Sequence, residues 1–413
     1  MRGGALRYRW IVLGIATFTQ AASGFFVQGI GALGIHLQRD LSLSTAQLGL
    51  LISAAQLVPL VGLLVAGELL DRCNERWVVG AGACVVATGL GVGSMAPGYV
   101  SLLCVLLVVG AGYSTVQPGG SKSVASWFDS SRRGFAMGVR QAGLPLGAAL
   151  ASAVLPFLAG EFGWRATLVA GGLVALLGAG VFMGFYRRPS VPQDSEPHAS
   201  LTVQLGARRQ LVREPSMVRT MLSGTSLISV QCGVGILTVL YLHEVTSFGA
   251  GPAALVLVAV QIAGVVGRVC LAAWSDRSAS GRHRLVGVCM VAVIAGMTVL
   301  LTPAGRSPAA ACCTFVWLGF FGYGWYGPWV AQVTETAPPG RTGFALGLAM
   351  SVNQIAIVVM PPTLGLLKDL TGSFAPAWGL LITMTFVALR VSARTERRAG
   401  TDSPRSGATS CPG

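Results

Sequence analysis

The stretch Gly67-Glu68-Leu69-Leu70-Asp71-Arg72-Cys73-Asn74-Glu75-Arg76-Trp77 decides the fold. It is a short, charge-dense turn between two long apolar runs. A weaker copy, Ala272-Ala273-Trp274-Ser275-Asp276-Arg277 and then Gly281-Arg282-His283-Arg284, lies in the second half of the chain. Charged turns at matching positions in two halves point to a duplicated membrane bundle with both turns on its cytoplasmic face.

Composition supports lipid as the solvent. The 413 residues are 53% hydrophobic and 11% charged, where a soluble protein has about a quarter of its residues charged. A spanning helix needs roughly 20 apolar residues, and it satisfies its own backbone hydrogen bonds where lipid cannot. A net charge of +14 would suggest nucleic acid in a soluble protein. Here the charge is distributed by membrane side, and no nucleic-acid partner is expected. The nine cysteines are scattered without metal-ligand spacing and read as small packing residues. No cofactor, metal site or obligate protein partner is indicated.

Apolar runs give twelve candidate spans: 10–34, 46–70, 77–96, 99–121, 135–158, 164–186, 219–242, 252–273, 285–303, 309–331, 343–367 and 374–392. The first follows Arg2, Arg7 and Arg9 and reads as a retained span rather than a cleaved leader. The fold class expected is an all-α membrane protein with two six-helix halves. Its divisions are 1–186, a cytoplasmic linker 187–218, a second half 219–393 and a disordered cytoplasmic tail 394–413. With the N-terminus inside, only Arg39, Arg165, Arg306 and Lys368 fall on the opposite side, and Arg140 and Arg268 fall within spans. Positive charge is retained in the cytoplasm, so a plasma-membrane protein with both termini cytoplasmic is expected. Arg132-Arg133-Gly134-Phe135-Ala136-Met137-Gly138 matches Arg341-Thr342-Gly343-Phe344-Ala345-Leu346-Gly347. Parallel halves of this kind are a transporter plan with the substrate held between them.

These features resemble the major facilitator superfamily over essentially all the spans. The loop resembles the family's G-x-L-x-D-R-x-G-R-[KR] at Gly67, Leu69, Asp71, Arg72 and Arg76, while Asn74 replaces a glycine and Glu75 a basic residue. The resemblance implies gating by this loop. Asp71 and Asp276 would latch the halves on the cytoplasmic side, with Arg72, Arg133 and Arg277 as partners. Gly138-Val139-Arg140-Gln141-Ala142-Gly143-Leu144-Pro145-Leu146-Gly147 is similar to the cyanate and nitroimidazole porters, and Gly267-Arg268 resembles the oxalate and monocarboxylate porters. Those groups mostly carry small anions. The drug-proton antiporter signature G-x-x-x-G-P-x-x-G-G is not matched.

An ionised side chain inside a span is costly and faces a cavity or a partner. Arg140 and Arg268 lie about two turns from the cytoplasmic ends of spans five and eight, which meet across the interface in the resembled family. All fifteen Asp and Glu residues lie in loops, tails or helix ends. Two readings follow. The guanidiniums line one cavity and bind a carboxylate-like substrate bidentately, or they snorkel to the headgroups. Gln141, Gln261, Gln20, Tyr113 and Asn353 are further candidates for the cavity wall, and Tyr326 is either wall or packing. Pro59, Pro118, Pro145, Pro328 and Pro361-Pro362 are candidate kinks. No HExxH, GxSxG or nucleotide-binding loop appears, so no enzyme and no catalytic residues are expected. The leading expectation is a secondary transporter of a small organic anion working by rocker-switch alternating access. The alternative is an efflux carrier for an uncharged or cationic drug or metabolite.

Overall fold

The computed structural model describes residues 2–43, 45–189, 214–277, 281–338 and 340–401. Within them, ten helices are each long and apolar enough to cross a membrane. The two remaining spans are present in pieces. Span two is Thr45–Leu57 followed by Pro59–Arg72, and span ten is Pro308–Gly324 followed by Tyr326–Thr336. Both breaks have a proline cause. Pro59 and Pro328 carry no amide hydrogen for the carbonyl four residues back, and the helices restart at Val58 and Trp325, whose carbonyls accept from Gly62 and Trp329. Pro118, Pro145 and Pro361-Pro362 instead lie inside continuous helices.

The other spans are Arg2–Gly29, Glu75–Gly93, Tyr99–Trp127, Ser130–Phe162, Trp164–Phe185, Pro215–Thr246, Ala250–Arg277, Gly281–Leu301, Thr342–Thr371 and Ala375–Thr401. Most overrun the apolar stretches, because a helix has no reason to stop where the hydrocarbon does. The last one continues past 394, where the sequence reading begins a disordered tail. Its Ala, Arg and Glu residues there are good helix formers. The tail beyond Thr401 and most of the linker lie outside the described residues.

Span two shows how lipid shapes the pattern. Val61, Val65 and Leu69 form an exposed apolar face at helical spacing, while Leu63, Ala66, Gly67 and Leu70 are buried. Both faces are apolar, as expected where lipid replaces water on the outer side. Asn74 ends the following turn by accepting the Arg76 amide at 3.0 Å, which caps span three and accounts for the glycine it replaces.

Six spans pack in each half. One cluster of buried apolar residues fills the second half and reaches into the first at the signature-loop end, through Leu63, Leu70, Val116 and Met137. The opposite end of the first half, around Phe25, Leu51, Leu106 and Trp164, forms a cluster of its own. Apolar packing thus joins the halves near the signature loop and leaves them separate at the other end.

Candidate functional site

The halves meet along two seams in which glycine lets backbones touch. In one, span two lies on span eleven. A Cβ on Gly67 would come within 2.5 Å of the Gly343 carbonyl oxygen and 3.2 Å of Gly347 Cα. In the other, span five lies on spans eight and ten. A Cβ on Gly327 would come within 2.8 Å of Gly138 Cα, and one on Gly138 would overlap the Arg268 carbonyl. Close approach of this kind needs small residues.

At the signature-loop end of each seam an aspartate bridges to the opposite half. Asp71 accepts the amides of Gly343 and Phe344, both at 2.7 Å. Asp276 accepts those of Gly134 and Phe135, at 2.8 and 2.6 Å. The two matching Gly-Phe pairs therefore each receive a carboxylate near the positive start of a helix, where an anion is stabilised.

Of the arginines expected as latch partners, Arg133 reaches an acid of the opposite half, in span ten. Arg72 bonds Glu68 on its own helix at 2.7 Å, and Arg277 is exposed at the end of span eight. Arg133 lies 3.6 Å from Glu335, and Arg76 lies over the Trp77 ring. The cation beside Asp71 is Lys122, which donates to Asp71 at 3.1 Å and to the Leu70 carbonyl at 2.5 Å. Lys122 also lies 3.4 Å from Glu75, and Glu75 accepts from Arg188 at 2.8 Å. This bond holds the Arg188 guanidinium above its ordinary pKa. Glu75, where the family pattern has a basic residue, is thus matched by two cations. On the second half Arg282 takes the corresponding place. It pairs with Asp276 at 2.7 Å and with Glu335, and donates to the Ser130 carbonyl across the interface.

Lys122 and Glu75 are both buried. Removing one partner of a buried ion pair typically costs about 3–5 kcal/mol, whereas an exposed pair is worth about 0–1 kcal/mol. Lys122→Met is therefore expected to lower the melting temperature much more than Arg72→Met, measured by thermal unfolding of the purified protein.

Deeper between the halves lies a cavity of about 190 Å³. The first half contributes Gln28, Gln56, Tyr113 and Gln141, and the second Gln231, Arg268, Tyr326 and Asn353. Among the described lining residues Arg268 alone is charged. It is positioned by Gly267, which lies against Gly324 and leaves no room for a Cβ beside the Phe320 carbonyl. Arg268 donates to the carbonyls of Gln141, at 2.6 Å across the interface, and of Tyr323 at 3.2 Å. Its guanidinium carbon is 5.7 Å from the Tyr326 ring centroid. It is 3% exposed, so in this state it points inward rather than snorkelling.

Several amides on this wall meet no protein partner. Both side-chain polar atoms of Gln141 and of Asn353 are unpaired, as is Oε1 of Gln231. Buried polar atoms are normally hydrogen-bonded, and these exceptions belong to residues that line one chamber. Above them Gln354 Nε2 donates to the carbonyl and side-chain oxygens of Gln56, at 2.9 and 3.1 Å, joining spans two and eleven.

Arg140 departs from the expectation that both guanidiniums line one cavity. It is fully buried behind the wall and is engaged within its own half. It donates to Gln20 Oε1 at 2.7 Å, Ser121 Oγ at 2.9 Å, and the Val116 and Gln117 carbonyls at 3.0 and 2.8 Å. Gly120 is the reason it fits, since a Cβ there would come within 2.6 Å of Arg140 Nη2. Gln20 is consequently a partner of Arg140 and not part of the lining. Gln261 is exposed and outside the lining. Trp325 is buried against Trp329, whereas Tyr326 joins the wall. Among the described residues no carboxylate pairs with Arg140 or Arg268.

Sequence reasoning passed over Gln231, although a glutamine in mid-span is the same signal that singled out Gln20 and Gln141. It also left Lys122 unassigned, because Lys122 stands one position beyond the apolar run 99–121.

The sequence family described as Major Facilitator Superfamily matches residues 13–361. An uncharacterised MFS-type transporter of Mycobacterium tuberculosis (strain CDC 1551 / Oshkosh) is 25% identical over 376 residues, spanning 90% of this chain and 82% of that protein. The probable galactarate/D-glucarate transporter GudP of Bacillus subtilis (strain 168) is 24% identical over 370 residues, 83% of this chain and 81% of that protein. The crystal structure of the transporter FucP in the outward conformation superposes with a TM-score of 0.73, covering 91% of this chain and 98% of that one at 16% identity. At that identity the likeness is one of fold.

Proposed function

The chain belongs to the Major Facilitator Superfamily, and from that premise we propose that it is a secondary carrier of a small organic anion bearing a carboxylate. The observation that carries this reading is Arg268. It is a buried cation on the chamber wall with no carboxylate beside it among the described residues and unpaired amides around it. A carboxylate would complete the charge, and the planar guanidinium offers it paired donors. The amides of Gln141 and Asn353 would take hydroxyl or further carboxyl oxygens. The similarity to a probable galactarate/D-glucarate transporter supports a hydroxylated acid. The efflux alternative would bring an uncharged or cationic molecule beside Arg268 with no acid to receive it.

The charge bias of the loops puts the signature-loop end in the cytoplasm of a plasma-membrane protein, with both termini on that side. The seams and aspartate bridges then close the cytoplasmic entrance, which corresponds to the outward-facing state of an alternating-access cycle. Opening inward would release Asp71 and Asp276 from the opposite half while the other ends close.

Thermal unfolding tests the substrate class. A ligand that binds the native state stabilises it by about 2.7 kcal/mol at a hundred times its dissociation constant. Hydroxy acids such as galactarate, D-glucarate and their monoacid analogues are expected to raise the melting temperature, and the matching sugar alcohols to leave it unchanged. Stabilisation by neutral or cationic compounds alone would favour efflux.

A further inference from the structure

On the outside of the second half, away from the chamber, a groove of about 540 Å³ runs between spans nine, ten and twelve. We propose that it is a binding site for an anionic phospholipid of the leaflet at the signature-loop end, independent of the transported substrate.

Its length fits one leaflet. From Arg284 to Ala295, both in the lining, span nine rises about 16 Å at about 1.5 Å per residue, roughly half of a hydrocarbon core about 30 Å thick. Its walls are of two kinds. The part toward mid-membrane is apolar, formed by Val288, Trp317 and Leu389, with Val288 and Trp317 exposed. Gly287 keeps it open, because a Cβ there would meet nothing within 4 Å. The part at the signature-loop end carries Arg284, His283 and Ser392.

Ser392 points to a ligand. It is 4% exposed, and its hydroxyl has no partner among the described residues. A phosphodiester held between Arg284 and Ser392 would accept from both, with its acyl chain lying along Trp317. Basic pockets between spans at the cytoplasmic side are suited to anionic headgroups. The apolar wall takes any chain, so the preference comes from the basic rim.

Trp317 is a reporter in place. The full-length protein would be put into phosphatidylcholine nanodiscs containing increasing fractions of brominated phosphatidylglycerol or brominated phosphatidylcholine. Subtracting the signal of Trp317→Phe isolates the quenching of this residue. Phosphatidylglycerol is expected to quench it at about fivefold lower mole fraction than phosphatidylcholine. Arg284→Gln should bring the two curves together, and Gly287→Leu should weaken quenching by both lipids. Native mass spectrometry of the wild type and Arg284→Gln, counting retained phosphatidylglycerol, gives the same comparison if Trp317→Phe folds poorly. Coincident curves for the two lipids in the wild type would overturn the proposal. So would a preference that survives Arg284→Gln, or a Trp317 shielded from both lipids by a second copy of the chain.

Discussion

Arg268→Gln is expected to weaken carboxylate binding by about ten- to a hundredfold, the loss of a charge-assisted hydrogen bond worth about 1.5–3 kcal/mol. The variant keeps a donor near the carbonyls of Gln141 and Tyr323, which Arg268 now bonds, so the fold should survive. Arg268→Lys should recover part of the affinity, since an ammonium supplies the charge and not the planar pair of donors. Isothermal titration with a hydroxy acid measures both. Arg140→Gln is expected to behave differently. Its present partners are Gln20, Ser121 and two span-four carbonyls, and removing the guanidinium takes a donor from Gln20 Oε1 and Ser121 Oγ inside one half. That variant should lose thermal stability first, and lose affinity only as a consequence.

The second large effect concerns the seams. Gly67→Leu and Gly138→Leu place a side chain where the opposite backbone now lies, 2.5 Å from a would-be Cβ in the case of Gly67. Overpacking costs about 1–3 kcal/mol, and here the cost falls on the state in which the seam is closed. A penalty of that size moves the balance between the two states by about five- to more than a hundredfold. Spin labels at Arg72 and Arg277, in a cysteine-free background, report the separation of the halves at this end. The closed distance should be lost in both glycine variants, and transport should fall with it. Gly180→Ala is the control, because a Cβ there meets nothing within 4 Å. An unchanged distance in Gly67→Leu and Gly138→Leu would mean that the seams do not govern closure.

Much of the architecture was legible because it follows from composition and repetition. Runs of apolar residues long enough to cross a bilayer can be counted, and two six-helix halves announce themselves through repeated turns. The two broken spans were half-visible. Pro59 and Pro328 marked the places, but Pro118 and Pro145 carry the same mark inside unbroken helices. The proline by itself does not separate the two cases.

The site was less legible, for a definite reason. Charged residues were matched to charged residues, so Asp71 and Asp276 were assigned arginines. Their partners across the interface are backbone amides, which every residue but proline possesses and no sequence pattern distinguishes. Lys122 was hidden by its position at the edge of an apolar run, although its helix continues to Trp127 and buries it. Arg140 and Arg268 looked equivalent by depth. They differ because Gly120 leaves room beside the span-four backbone for one of them, while Gly267 sets the other against span ten at the chamber wall.

The central claim is that Arg268 receives the carboxylate of a transported anion, and uptake into proteoliposomes tests it most directly. Protein reconstituted with internal unlabelled galactarate or D-glucarate would be offered the labelled acid outside, with and without an excess of the matching sugar alcohol. Saturable exchange is expected, uninhibited by the alcohol and reduced at least tenfold in Arg268→Gln. Exchange of neutral or cationic compounds at equal rates in wild type and Arg268→Gln, with no exchange of any acid, would contradict that claim.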